Sequence, residues 1–357
     1  ENLLNLALSA TDEERERSEN LDVGYDPEER TWELIVRHSG SLAGLAGAGI
    51  QVDELLNGYA VLVVPEHLMD QVSELNQIEY IEKPKRLFFA SNMARAASCL
   101  SVVQSPSGTG NVTGGIISGL SGGLTGRGVL VAVIDSGIDY LNQDFRNEDG
   151  STRILMLMDQ DRGRIYTREE INEALDAPDR AGALERVPSV DLSGHGTAVA
   201  AIAAGNGRGS QGVYRGVAYE SDLLVVKLGA PLADNFPRTT QLMKGLDFVI
   251  RQAQELGRPV AVNLSFGNTY GSHDGTSLLE TFMNDISNYG RSVLVAGTGN
   301  EGTGNGHTAG RLVMGSDTDV ELSIAPFETG MGVQLWKSYV DAFAIRLITP
   351  SGGTIGP

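Results

Sequence analysis

The chain has 357 residues, enough for roughly two or three domains, and 41% of them are apolar, an ordinary share for a globular protein. Its formal charge of -19 and pI near 4.6 would repel nucleic acid and anionic membrane surfaces, so neither is expected as a partner. A single cysteine, Cys99, excludes a disulfide framework within the chain, and no apolar run is long enough to span a bilayer.

Residues 1–30 are charge-rich with little to bury and read as a mobile or loosely helical acidic lead. They lack the basic n-region of a secretory signal, and the sequence leaves localisation open. From Thr31 the texture changes. "TWELIVRH" reads as a strand, "SLAGLAGAG" as a turn or short helix, and "IQVDELL" and "YAVLVVP" as two strands joined at Asn57-Gly58. "EHLMDQVSELNQ" puts Leu68, Val72 and Leu75 on one helical face, and "IEYIEKPKRL" alternates like a closing strand. The order βαββαβ predicts a small ferredoxin-like α+β domain. With the Gly- and Ser-rich segment that follows it, this unit is assigned to residues 31–104.

Residues 105–307 form the next unit. Four runs, 128–134, 222–228, 259–266 and 292–297, are nearly continuous in Val, Leu and Ala, as strands covered on both faces should be. Helical segments separate them, including "TTQLMKGLDFVIRQAQELG" and "SLLETFMNDISNYG". The pattern predicts an α/β doubly wound parallel sheet, in which ligands bind beyond the carboxyl ends of the strands. Residues 308–357 alternate apolar and polar in "DVELSIAPFE", "GVQLWKS" and "AFAIRLITPSGG" with no helix between, and read as the start of an antiparallel β domain.

Three residues stand out as chemistry. Asp135 ends the first of the four strands, although an Asp before Gly is most often a turn residue. His195 lies between two glycines at the head of a helix of Ala and Val, where a substrate could pack against the imidazole. The other four histidines have no such setting, and no pair has metal-ligand spacing. Asn300 sits in Gly297-Thr298-Gly299-Asn300-Glu301-Gly302, a literal G-x-G-x-x-G after an apolar run. A dinucleotide loop needs a helix directly after it to meet the phosphates. "TGNGHTAGRLVMGSD" has no helical period, so the glycines are read as the setting of Asn300.

In chain order, "VAVIDSGID", "SGHGTAVA", "VNLSFG" and "VAGTGNEG" resemble the signature blocks of subtilisin-like serine proteases (subtilases), over residues 128–307. The ferredoxin-like unit is similar to that family's inhibitory prodomain. "YIEKPKRL" and "GIDYLNQDFRNEDGSTRIL" resemble the Csp-type germination proteases of spore-forming clostridia, in which a jelly roll is inserted before the nucleophile. Residues 308–357 would be its first part.

The resemblance implies a serine endopeptidase that processes its own prodomain and activates a spore-associated proenzyme, with protein substrates and a spore-associated location. Asp135 would orient and support His195, His195 would be general base and then acid, and Asn300 would donate to the oxyanion. Ser265, Phe266 and Gly267 would pair with the substrate backbone as an added strand, and so would Lys227, Leu228 and Gly229. Gln104-Ser105, in "SVVQSPSG", is the candidate processing site, and the prodomain would act in cis or remain bound non-covalently.

The family's nucleophile lies in a Gly-Thr-Ser block after the asparagine. Here the only such triplet is Gly275-Thr276-Ser277, which precedes Asn300 and opens "SLLE", a capping box with Glu280. The serine is therefore expected outside this chain, on the C-terminal remainder of the same precursor. The alternative is a subtilase-like pseudoprotease acting as a binding or sensing module in spore germination. Asp144, nine residues after Asp135, has the spacing of a calcium ligand in some subtilases. The companion loop "GNGRGSQGVYRG" differs in length, and a solvated turn carboxylate is the preferred reading; no cofactor or metal is expected.

Overall fold

The computed structural model describes residues 2–16, 18, 21–85, 88, 89, 123–228, 237–300, 306–324 and 331–356. Helices α1 (Asn2–Ser9) and α2 (Asp12–Glu16) lead into β1 (Tyr25–Asp26), β2 (Thr31–His38), α3 (Ala43–Ala46), β3 (Gln51–Glu54), β4 (Tyr59–Pro65), α4 (Met69–Ser73) and β5 (Ile78–Glu82). Strand β2 pairs with β4 on one side and with β5 and β1 on the other, and β3 flanks β4, all antiparallel. The spatial order β5-β2-β4-β3 is that of the predicted ferredoxin-like unit.

The period-2 alternation of β4 divides its side chains between two cores. Ala60, Leu62 and Val64 join Trp32, Leu34 and Val36 of β2 under Leu45 of α3 and Val72 of α4. Tyr59 and Val61 face the other way, into the core of the second unit. Each fully buried side chain of this kind stabilises the fold by about 1.5–3 kcal/mol.

The lead differs from the expectation of a loose segment. Leu4 and Ala7, three residues apart on one face of α1, are buried against the Trp32 core. Arg15 is only 3% exposed; it donates to Ala7 O at 2.9 Å and to Glu66 at 2.8 Å. Its guanidinium also lies 4.4 Å from the Tyr25 ring centroid. Two small apolar contacts and one neutralised arginine were enough to dock a segment that looks, by composition, too polar to pack.

Beyond β6 (Phe88–Phe89), the second unit runs β7 (Leu130–Asp135), β8 (Ile154–Asp159), β9 (Arg164–Thr167), α5 (Arg168–Leu175), α6 (Arg180–Arg186) and α7 (His195–Ala204). It continues with β10 (Asp222–Lys227), α8 (Thr239–Glu255), β11 (Val260–Leu264), β12 (Phe266–Gly267), α9 (Leu278–Ser287) and β13 (Ser292–Ala296). The sheet order is β13-β11-β7-β10-β8-β9; every pairing is parallel except that of β9 with β8. Strand residues alternate between two cores, one under α8 and α9 and the other under α5, α6 and α7. This is the doubly wound arrangement the continuous apolar runs predict.

From 306 onward the structure departs from the sequence pattern. Among the described residues there, β14 (Leu347–Ile348) and β15 (Thr354–Ile355) form the only strand pair, and Val320, Leu322, Val333 and Leu335 are exposed. "DVELSIAPFE" and "GVQLWKS" form no strands among the described residues, because no neighbouring strand offers them a ladder. No jelly roll is seen among the described residues.

Candidate active site

The parallel register sets the geometry. Ile134 of β7 lies beside Leu264 of β11, which lies beside Ala296 of β13, so the carboxyl ends of the three strands are level. Asp135, Ser265 and the loop bearing Asn300 therefore emerge at one end of the sheet. There the His195 Nδ1–H donates to Asp135 Oδ1 at 2.7 Å. Asp135 is fully buried, while the His195 side chain keeps 15% of its surface exposed. A buried carboxylate on Nδ1 fixes the tautomer that leaves Nε2 to accept a proton.

Two glycines make this contact possible. Gly194, the residue before α7, has φ 74°, a conformation that disfavours any side chain. A Cβ on Gly196 would stand 2.2 Å from Gly137 O and 3.1 Å from Asp135, so only glycine lets the helix approach the strand end this closely. Gly194 offers no side chain to cap α7, and Asp191 takes that role from three residues upstream. Its Oδ2 accepts Thr197 N at 2.8 Å and Thr197 Oγ1 at 2.6 Å. Its Oδ1 accepts Ser136 Oγ at 2.7 Å, Gly194 N at 2.9 Å and Ser193 Oγ at 3.3 Å. Burial pushes the Asp191 carboxyl up, but the hydrogen bonds from Thr197, Ser136 and Gly194 outweigh it and hold the group below the usual carboxylate range. Sequence reading missed Asp191; the signal was an Asp three residues before a cap position that glycine leaves empty.

The remaining candidates fall out unevenly. Asn300 is exposed at the sheet's carboxyl end, beyond Gly297, whose N–H still pairs with Leu264 O at 3.0 Å. Ser265 Oγ accepts Asn263 Nδ2 at 2.7 Å. Phe266 and Gly267 form β12, which pairs antiparallel with β6, Phe266 opposite Phe89 and Gly267 opposite Phe88. A strand of this chain's own leading segment thus sits where an added strand is expected.

Lys227 and Leu228 do not fit the expected pairing with substrate. Strand β10 is interior, between β7 and β8; Leu228 N donates to Asp135 O at 2.8 Å and Lys227 O accepts Gln160 N at 3.1 Å. The Lys227 ammonium turns to Asp161 at 2.9 Å and Asp159 at 3.6 Å. Gly229, Gln104 and Ser105 lie outside the described residues. Ser277 caps α9: its hydroxyl accepts Glu280 N and its N–H donates to Glu280 Oε2, the expected capping box. Asp144 Oδ1 accepts Gly209 N at 2.7 Å. No group of three or more His, Cys, Asp or Glu among the described residues could hold a metal ion, and no helix among them is long and apolar enough to cross a membrane.

A strand-borne buried aspartate hydrogen-bonded to a histidine at the head of a small-residue helix, on a doubly wound sheet preceded by a ferredoxin-like unit, defines a subtilisin-like protease. Residues 126–321, more than half of the chain, match the subtilase family model, and the chain belongs to that family. Residues 1–85 match the Csp protease B prodomain, so within the family the likeness is to Csp-type proteases. Among solved structures, the CspB protease of Clostridium perfringens is 39% identical over 48% of this chain and 36% of its own, with a TM-score of 0.46. Fervidolysin from Fervidobacterium pennivorans, a keratinolytic enzyme related to subtilisin, is 15% identical over 76% of this chain and 40% of its own, with a TM-score of 0.46. The epidermin leader peptide processing protease of Staphylococcus aureus is 15% identical over 76% of this chain and 61% of its own, with a TM-score of 0.44. This chain therefore spans only 36% to 61% of the length of these proteins.

Proposed function

We propose that the complete protein is a serine endopeptidase working by an Asp-His-Ser triad, and that the 2.7 Å bond from His195 to the buried Asp135 carries this reading. Asp135 holds the imidazole in register and supports the imidazolium that forms. His195 takes the proton of a serine supplied from outside these 357 residues, then returns it to the leaving amine. Asn300 donates its side-chain amide to the developing oxyanion. Substrate adds as a strand along Ser265-Phe266-Gly267, a reading supported by the pairing of β12 with this chain's own β6.

The leading unit then acts in cis as an inhibitory prodomain until the protease's own serine cuts the segment that follows it. By the Csp-type likeness, the substrate is a spore-associated proenzyme and the protein is spore-associated. An intact, hydrogen-bonded dyad weighs towards catalysis rather than a purely sensing role.

In the complete protease, His195→Ala should abolish both peptide hydrolysis and prodomain cleavage. Asn300→Ala should lower kcat by about 10²–10³ with little change in KM, a magnitude taken from subtilisin itself. The present chain alone should not react with a fluorophosphonate serine probe, whereas the complete protease should. Labelling of the isolated chain would move the nucleophile to a serine within it and overturn this reading.

A further inference from the structure

A second acidic residue, Asp191, lies beside the dyad. Asp191 accepts five hydrogen bonds, and each donor is a near neighbour of Asp135 or His195 in sequence: Ser136, Ser193, Gly194 and, twice, Thr197. Two of these donors link outward in turn. Ser136 Oγ accepts Gly196 N at 2.9 Å, and Thr197 Oγ1 accepts Asp139 N at 2.8 Å. His195 N itself donates to Ser193 Oγ at 3.1 Å. The residue after the strand aspartate and the first turn of α7 are thereby tied to one carboxylate.

Two bonds join the strand end to α7 directly, Gly196 N to Ser136 Oγ and Asp139 N to Thr197 Oγ1, and in both the accepting hydroxyl is itself held by Asp191. The cap position of α7 is Gly194, which has no side chain to offer, and the N–H of Thr197 is taken by Asp191 instead. At the strand end, the Ser136 hydroxyl that accepts Gly196 N is oriented by its own bond to Asp191. The tight approach of Gly196 to Gly137 is a packing contact with no elasticity of its own, whereas the Ser136–Asp191–Thr197 bridge is directional. Five acceptor contacts saturate a carboxylate's two oxygens, which also makes the group a poor candidate for substrate binding.

From this geometry we infer that Asp191 is a positioning residue, setting the His195–Asp135 alignment by fastening the head of α7 to the end of β7. This rests on the catalytic roles proposed above for Asp135 and His195. Loss of the bridge lets the imidazole drift relative to the carboxylate while leaving the substrate strand on β12 untouched, so the effect belongs to kcat and not to KM. A displacement of the order of 1 Å in a catalytic group costs up to about 10²-fold in rate.

The test uses the complete, processed protease, with active sites counted by burst titration so that unfolded molecules do not enter the rate. Asp191→Ala should lower kcat per titrated site by about 10- to 100-fold with KM within about twofold. Asp191→Asn, which keeps one acceptor oxygen in place, should recover part of that loss. Ser136→Ala removes one donor to Asp191 and the acceptor of Gly196 N, leaves the other four bonds to Asp191, and should show a smaller fall of the same kind; it also serves if Asp191→Ala yields no soluble protein. His195→Ala is the control that separates the two readings. If it is inactive while the Asp191 and Ser136 variants keep wild-type kcat per site, the positioning role falls and the triad stands. If His195→Ala retains activity, the triad reading falls and the positioning role falls with it.

Discussion

At the site, single atoms set the geometry. Gly196 is a clear instance, since a Cβ there would lie 2.2 Å from Gly137 O, a backbone atom that cannot rotate away. Gly196→Ala should therefore push α7 off the strand end, costing about 1–3 kcal/mol of stability and removing nearly all activity. Thermal melting and peptide hydrolysis on the same preparation would check it; a variant with normal activity would mean the helix has slack that the structure does not show. The nearness of Asp135 and His195 was legible in the sequence because each stands in a short block of unusual composition, and the structure hydrogen-bonds the two. Asp191 was not, because an aspartate in a loop is common and its value lies in five donors gathered from positions 136 to 197. Lys227 was assigned to substrate pairing by resemblance alone, and only the sheet order reveals that β10 has neighbours on both sides.

Among the elements, the lead carries the most easily tested electrostatics. Burial pushes the Glu66 carboxyl up, yet hydrogen bonds from Arg15 and Arg30 prevail and hold its pKa below the ordinary value of 4.5. A carboxylate depressed in the folded state contributes stability above its unfolded value and loses it as pH falls through the folded one. Glu66→Gln should thus cost about 1–3 kcal/mol at neutral pH, and the gap to wild type should close below about pH 4. Melting curves at the two pH values decide the matter; a gap that does not shrink in acid would remove the ion pairs from the account. Strands β7, β10, β11 and β13 were legible to within a residue or two as continuous apolar runs, although β13, at the sheet edge, leaves Val293 and Val295 exposed where cover on both faces was expected. Strand β8 was missed: "ILMLMD" has one β-branched residue and sits among charges, and it reads as a strand only once β10 lies beside it. The lead was misjudged because two well-placed side chains, Leu4 and Ala7, do not alter an acidic composition. The alternation after residue 308 overstated order, because a period-2 pattern says which face is apolar and not whether a partner strand is present.

Over the whole molecule, the leading unit is bound to the second unit by polar contacts with α8 and α9. Glu82 Oε2 accepts Leu278 N at 2.8 Å, at the head of α9, and Asp247 Oδ1 of α8 accepts Leu56 N at 2.8 Å. Tyr59 Oη donates to Thr281 Oγ1 at 3.1 Å. Thr239 and Lys85 exchange two bonds, Lys85 N to Thr239 Oγ1 at 2.9 Å and Thr239 N to Lys85 O at 2.8 Å. Glu82→Ala should weaken retention of the cleaved prodomain about tenfold or more, as loss of a charged hydrogen bond predicts, measurable as a raised inhibition constant. An unchanged constant would place the affinity in the Tyr59 and Val61 contacts instead. The pairing of β6 with β12 carries a further consequence for timing. A strand tethered beside its own docking edge competes at an effective concentration of the order of millimolar, so a foreign peptide at micromolar levels would almost never displace it. Onset of activity would then follow first-order kinetics independent of protein concentration, each molecule keeping its own clock.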